Sequence, residues 1–173
     1  MVILKPASSE ESAQFYEIFV SAYSNDAVAG RLYRRGEEAI AHARNSIAKY
    51  SSQEAVPNVM LAISVEGVEG PVGFIWYAVA PRDGGSSTFV LQLFIKPAYR
   101  RRGYAKEALL ALEGLAISLG HLSIGLSVFH HNSGARELYA SVGFQCYRDD
   151  GLSMMMDKPI ACQDTQQYRG PWS

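Results

Sequence analysis

Cysteine is scarce in this chain, with Cys146 and Cys162 the only two among 173 residues. Two thiols cannot build a cystine-stapled scaffold, and their spacing fits no zinc pattern, so the thiols are read as reduced and structural and no metal centre is expected. Long hydrophobic runs are missing as well. Nothing approaches the roughly 18 apolar residues of a membrane-spanning helix, and the opening Met-Val-Ile-Leu breaks at Lys5-Pro6, too early for a signal-peptide core. The expectation is a cytoplasmic protein with no membrane partner. An excess of either charge is also absent: 16 basic residues face 17 acidic ones, for a net charge of −1. A general attraction to nucleic acid is thereby excluded, and any binding of anions has to be local.

What is present is a 48% hydrophobic composition over a length suited to one buried core. Residues 1–158 are read as a single domain and 159–173 as a polar C-terminal tail. Residues 2–5 form a short strand stopped by Pro6. A helix then starts at Ser8 or Ser9, carries Glu10 and Glu11 in its first turn, and buries Phe15, Ile18, Phe19 and Ala22. A polar gap at Ser24-Asn25-Asp26 separates it from a second helix near 37–50. Strands follow at 59–65, 72–80 and 88–95, joined by Gly-containing turns into a meander.

Residues 103–119 then show helical spacing of Ala105, Ala108, Leu109, Leu112, Ala116 and Leu119, ended by Gly120. Leu122, Ile124, Leu126 and Val128 alternate with Ser123, Gly125 and Ser127, a half-polar strand that runs parallel to its predecessor after the helical crossover. A short helix capped by Asn132 and a closing strand pair around Asp149-Asp150-Gly151 complete the chain. The fold class is α/β with an α+β mixed sheet: about seven strands, mostly antiparallel, with one parallel strand–helix–strand unit at the centre.

The junction between strand 88–95 and its helix is the most informative stretch. It reads Tyr99-Arg100-Arg101-Arg102-Gly103-Tyr104-Ala105, with Lys96 and Lys106 adding charge. A helix N-terminus offers unpaired backbone N–H groups and a positive dipole end, and Gly103 leaves room for close approach. A phosphate-bearing polyanion suits such a turn, although a solvated basic turn would share its composition.

Further on stand Asn132-x-x-Ala135-x-x-Leu138-Tyr139 and Gly143-Phe144. Together with Arg100-x-x-Gly103-x-Ala105 these residues resemble the GNAT acyltransferases, which move an acetyl group from acetyl-coenzyme A to an amine. The resemblance implies a GNAT-like fold and acetyl-coenzyme A as cosubstrate, without a metal. Its pyrophosphate would be held by the backbone of Arg101, Arg102, Gly103, Tyr104 and Ala105, with Arg100 opening the motif. Pantetheine would lie along Leu93, Phe94 and Ile95, with Asn132 near it or capping its helix. By the same resemblance Tyr139 is the general acid for the leaving thiolate, and an N–H near Leu93 or Phe94 serves the oxyanion of a tetrahedral intermediate.

Many family members carry a carboxylate on the strand before the loop, whereas this chain has Gln92 there, which takes no proton at neutral pH. His130, His131, Glu66 and Glu69 are the alternative bases, and an acceptor of low amine pKa is the alternative to having one. The regions that form acceptor pockets in that family offer Tyr16, Tyr23, Tyr33, Trp76 and Tyr77 here, without a recognisable selectivity motif. The expected partner is a small-molecule amine or a peptide or protein amine, and a homodimer is left open. Two other readings compete: an acyl-coenzyme A sensor or scaffold of weak activity, suggested by Gln92, and a nucleic-acid module using Arg100 to Arg102, disfavoured by the net charge.

Overall fold

The computed structural model describes residues 1–51 and 57–160. The connector 52–56, the tail beyond 160 and Cys162 lie outside the described residues. Strand β1 (Val2–Pro6) carries on through Pro6, where the sequence placed a stop. It is an edge strand paired only with β2 (Asn58–Val65), and an edge tolerates the missing proline donor. Helix α1 (Ser9–Ala29) opens on a capping box, in which Glu11 N–H donates to Ser8 Oγ (3.1 Å) and Ser8 N–H to Glu11 Oε2 (2.8 Å).

The polar triplet Ser24-Asn25-Asp26 does not interrupt α1, contrary to the expected gap. Ser24 is buried and returns its hydroxyl to the Val20 carbonyl, while Ala27 is fully buried one turn from Tyr23. Packing holds the helix through a stretch of poor intrinsic propensity. Helix α2 (Gly36–Ser51) packs beside it.

The meander β2, β3 (Gly73–Arg82) and β4 (Gly85–Ile95) is antiparallel throughout. Gly73 is obligatory at the β3–β4 contact, because a Cβ there would stand 2.1 Å from the Phe94 carbonyl oxygen. After a 3-10 turn at Pro97–Tyr99, α3 (Tyr104–Ser118) crosses back and β5 (Ser123–Phe129) pairs parallel to β4. Helix α4 (Ser133–Ser141), β6 (Gln145–Asp149) and β7 (Ser153–Pro159) follow, and β7 inserts between β5 and β6. The seven-stranded order is β1-β2-β3-β4-β5-β7-β6, with one parallel pair, as the sequence reading anticipated.

Each face of the sheet has its own core. On one, Ile75, Tyr77, Val90, Ile124 and Leu126 pack against Ala108, Leu109 and Leu112 of α3. On the other, Phe74 and Trp76 pack against Phe15 and Phe19 of α1, with Phe15 stacked on Phe74 at 4.4 Å. β5 departs from a half-solvated strand, because Ser123 and Gly125 are buried along with the apolar residues between them. Ser123 hydroxyl donates to Ser87 Oγ (3.0 Å) and accepts from Arg82 Nη1 (2.6 Å), which satisfies the buried polar groups.

Candidate active site

The site originates in a parting of two parallel strands. The β4–β5 ladder runs through Thr88↔Ile124, Phe89↔Gly125 and Val90↔Leu126 and then ends. Beyond it β4 stays paired to β3 as far as Ile95, and β5 stays paired to β7 as far as Phe129, so a wedge opens between them. The parting coincides with a bulge. Trp76 opposes Gln92 and Tyr77 opposes Val90, which leaves Leu91 as an extra residue on β4. A bulge breaks the regular ladder and frees backbone groups for a ligand.

The wedge opens into a cleft of about 730 Å³ lined by Leu93, Phe94 and Ile95 of β4, by Arg100, Arg101, Gly103, Tyr104, Ala105 and Lys106, and by Asn132, Ala135, Leu138 and Tyr139. Of the residues expected to hold the coenzyme, only Arg102 is not part of this lining, and its guanidinium lies over the Tyr99 ring at 5.7 Å. Arg100 is braced by donating Nε–H to the Ile95 carbonyl (2.9 Å) and by resting over Phe94 at 5.5 Å.

The turn has the form of an anion cradle. Arg101 at φ 60° and Gly103 at φ 84° alternate with ordinary backbone, a pattern that converges N–H groups. The first bond of α3 runs from Glu107 N–H to the Gly103 carbonyl (3.1 Å), so the N–H groups of Tyr104, Ala105 and Lys106 precede it without helical acceptors. A Cβ on Gly103 would meet nothing within 4 Å, so the space before the turn is open. Arg100, Arg101 and Lys106 make the lining cationic, with Asp26 as its one carboxylate among the described residues. These features fit a pyrophosphate, and the apolar stretch from Leu93 to Ile95 fits a narrow, extended arm behind it.

At the inner end stands Tyr139, buried, its ring edge-on to Phe144 at 5.7 Å. Burial pushes its phenol up to about 12, so it stays protonated at neutral pH. Asn132 caps α4 by accepting from Ala135 N–H (3.2 Å) and also lines the cleft. Behind Tyr139 lies a smaller pocket of about 220 Å³ with Tyr23, Phe89, Leu91, Ser127 and Phe129 in its wall.

The region from helix α1 through Phe144 matches a known family description. Residues 12–144 match the Acetyltransferase (GNAT) family. The chain belongs to the GNAT acetyltransferase family. Bacillus subtilis YycN, described as an uncharacterized N-acetyltransferase, is 40% identical over 74 residues, covering 43% of this chain and 47% of that protein. YdgE of the same organism, described likewise, is 32% identical over 73 residues, covering 42% and 46%. In both matches the aligned chain spans about half the length of the curated relative. The crystal structure of YycN superimposes with a TM-score of 0.76 at 23% identity, covering 98% of this chain and all of that one. The PaiA N-acetyltransferase of Thermoplasma acidophilum, solved in complex with coenzyme A, gives 0.67 at 21%, covering 92% and 99%. At these identities the structural likeness is one of fold.

Against this GNAT frame the proposed bases separate. Glu66 and Glu69 are exposed in the β2–β3 turn and line neither cavity, and His130 faces Asp149 at 3.1 Å. His131 lines neither cavity but comes within 3.9 Å of Asp26. Asp26 itself, which lines both cavities, was missed because its stretch reads as a linker and no motif marks it. Among the described residues no group of His, Cys, Asp and Glu could hold a metal ion, and no helix is long and apolar enough to cross a membrane.

Proposed function

We propose that the protein is a cytoplasmic N-acetyltransferase that moves an acetyl group from acetyl-coenzyme A to a primary amine, without a metal. The observation that carries this is the continuity of one cleft from a cationic turn of unpaired N–H groups to a buried phenol, along the unpaired edge of a bulged strand. The turn from Arg101 to Ala105 binds the pyrophosphate, and Leu93, Phe94, Ile95 and Asn132 hold the arm that ends in the thioester. Residues 1–158 form the single catalytic domain, followed by the polar tail 159–173.

Acetyl-coenzyme A supplies an activated carbonyl. The chain supplies position, a polar backbone for the oxygen that gains charge when an amine attacks, and a proton for the sulfur that leaves. Backbone N–H groups near the Leu91 bulge, towards Leu93, stabilise the tetrahedral intermediate. Tyr139 acts as general acid: with its phenol held at about 12 it keeps its proton until negative charge grows on sulfur, and then donates it. The acceptor amine enters by the inner pocket, beside the C-terminal end of α1.

The test is coenzyme binding by Gly103→Glu. The variant places a carboxylate in the open space before the turn and forces a side chain to φ 84°, at a strain of about 1–2 kcal/mol. Calorimetry with acetyl-coenzyme A should show micromolar-range binding to the wild type and a loss of at least about 30-fold in the folded variant, which is roughly 2 kcal/mol. Equal affinities would overturn the assignment of the turn. Thiol release from acetyl-coenzyme A over an amine panel separates an enzyme from a sensor that binds without turnover.

A further inference from the structure

The two cavities meet at Asp26, Gln92, Leu93, Asn132, Ala135 and Tyr139, which line both. Among the described residues Asp26 is the one carboxylate in either lining. It stands in the last turns of α1, half-buried, and shares both linings with Tyr139. Burial pushes its carboxyl above the ordinary range, opposed by the positive charge of His131 when protonated and of Arg100. Among the described residues these two are the charged groups that act on it from the other elements.

The seat of Asp26 is built. His131 Nε2 is 3.9 Å from Asp26 Oδ1, and the imidazole is stacked on Phe129 at 5.8 Å. Gly30 leaves the gap that the imidazole fills, because a Cβ there would come 3.0 Å from His131 Nδ1 and 3.1 Å from the Asp26 carbonyl oxygen. The inner pocket adds the aromatic walls of Tyr23, Phe89 and Phe129 and contributes no cation. Its 220 Å³ holds a chain of a few methylenes, given about 30 Å³ for a water-sized group. An aromatic-walled pocket with a single anionic end selects a cation and repels a second carboxylate.

We propose that Asp26 is the acceptor-binding base: it holds the ammonium of a primary alkyl amine in the inner pocket and takes a proton from that nitrogen, freeing its lone pair, before the attack. The proposal rests on the N-acetyltransferase reading and deepens it by naming the acceptor class, an alkylammonium with no carboxylate beside the amine. The protons balance. Ammonium and thioester give amide, thiol and one released proton. The nitrogen–carbon bond forms and the carbon–sulfur bond breaks. Of the two protons lost by nitrogen, one goes to Asp26 and leaves by the His131 side to solvent. The other replaces, through water, the proton that Tyr139 gives to sulfur. Gln92 then needs no role as a base, and His131 is a positioning residue.

The experiment compares 1-aminobutane with 2-aminopentanoate, the same chain with a carboxylate beside the amine, as acceptors for wild type, Asp26→Asn and Asp26→Glu. The wild type should prefer 1-aminobutane in kcat/KM by at least about tenfold, although its amine is the more basic and less of it is free. Asp26→Asn should lose about 10²-fold with 1-aminobutane and lose the preference, with the Kd for acetyl-coenzyme A within threefold of wild type. Asp26→Glu keeps the charge but displaces it, so it should lose rate and keep the preference, which a purely structural role would not produce. Unchanged kcat/KM in Asp26→Asn, or a loss wholly accounted for by weaker coenzyme binding, overturns the proposal. A wild type that binds acetyl-coenzyme A but does not turn over 1-aminobutane overturns the acceptor assignment alone. A wild type that binds no acetyl-coenzyme A overturns the N-acetyltransferase reading itself.

Discussion

Replacing Tyr139 with phenylalanine separates the proton of this residue from its packing. The ring is buried and meets Phe144 edge-on, a contact that phenylalanine keeps. The phenol is held at about 12 by burial, against 10.0 in an exposed tyrosine. Between those two values the folded chain holds a proton that the unfolded chain has released, so stability falls as pH rises through this window and is fully present below it. A rise of about two units, at about 1.36 kcal/mol per unit, is worth roughly 3 kcal/mol, or about 5–10 °C in Tm for a chain of this size. Tyr23 and Tyr147, also held at about 12, remain in the variant, so the readout is the difference between the two proteins at each pH. At pH 9 the two should unfold within about 1 kcal/mol of each other, and near pH 12 the variant should have gained about 2–3 kcal/mol on the wild type. At neutral pH kcat should fall by about 10²-fold or more while the Kd for acetyl-coenzyme A holds. A stability gap that ignores pH would refute the burial of the phenol, and an intact kcat would refute the general acid.

Two further predictions concern buried charge away from the cleft. Asp157 is buried, neither carboxylate oxygen has a hydrogen bond of good geometry, and burial pushes its pKa up against the opposing pull of the Ser123 hydroxyl and the Arg82 charge, so its penalty sets in as pH rises past the ordinary carboxylate range. Asp157→Asn should therefore stabilise the protein at pH 7 by roughly 1–3 kcal/mol and by much less near pH 4, measured by urea unfolding. Lys158 meets Glu113 at 2.7 Å with both side chains largely covered, tying β7 to α3, and Glu113→Gln should cost about 1–2 kcal/mol at pH 7.

The strand–helix–strand centre was legible because its residues obey one period at a time: Ala108, Leu109, Leu112 and Ala116 on α3 and Ile124, Leu126 and Val128 on β5 are all buried. Polar residues mark where that reading falls short. Ser87 and Thr88 belong to the buried part of β4, and Ser123 is buried on β5, because Ser87 and Ser123 bond one another and Thr88 Oγ1 meets His121 Nδ1 at 2.7 Å. A pattern of single side chains cannot reveal partners thirty or more positions away. Pro6 misled for the same reason, since its tolerance depends on β1 being an edge.

The site divides along the same line. The turn at Gly103 and the α4 cap at Asn132 are local devices whose residues announce the geometry they adopt. The Leu91 bulge and the reach of Asp26 are not local. The bulge depends on the register between β3 and β4, which sets Gln92 opposite Trp76 and so turns it towards the α1 side of the sheet. Asp26 reaches the junction only because α1 continues through Ser24, and it continues because Ala27 and Ser24 are buried against the rest of the fold. A carboxylate expected on the strand before the loop is thus absent from that strand, while one carried by the facing helix lines the same space. The chemistry requires an acid–base group within reach of the amine, not at a fixed place in the chain, and the packing of α1 against the sheet decides which residue that can be.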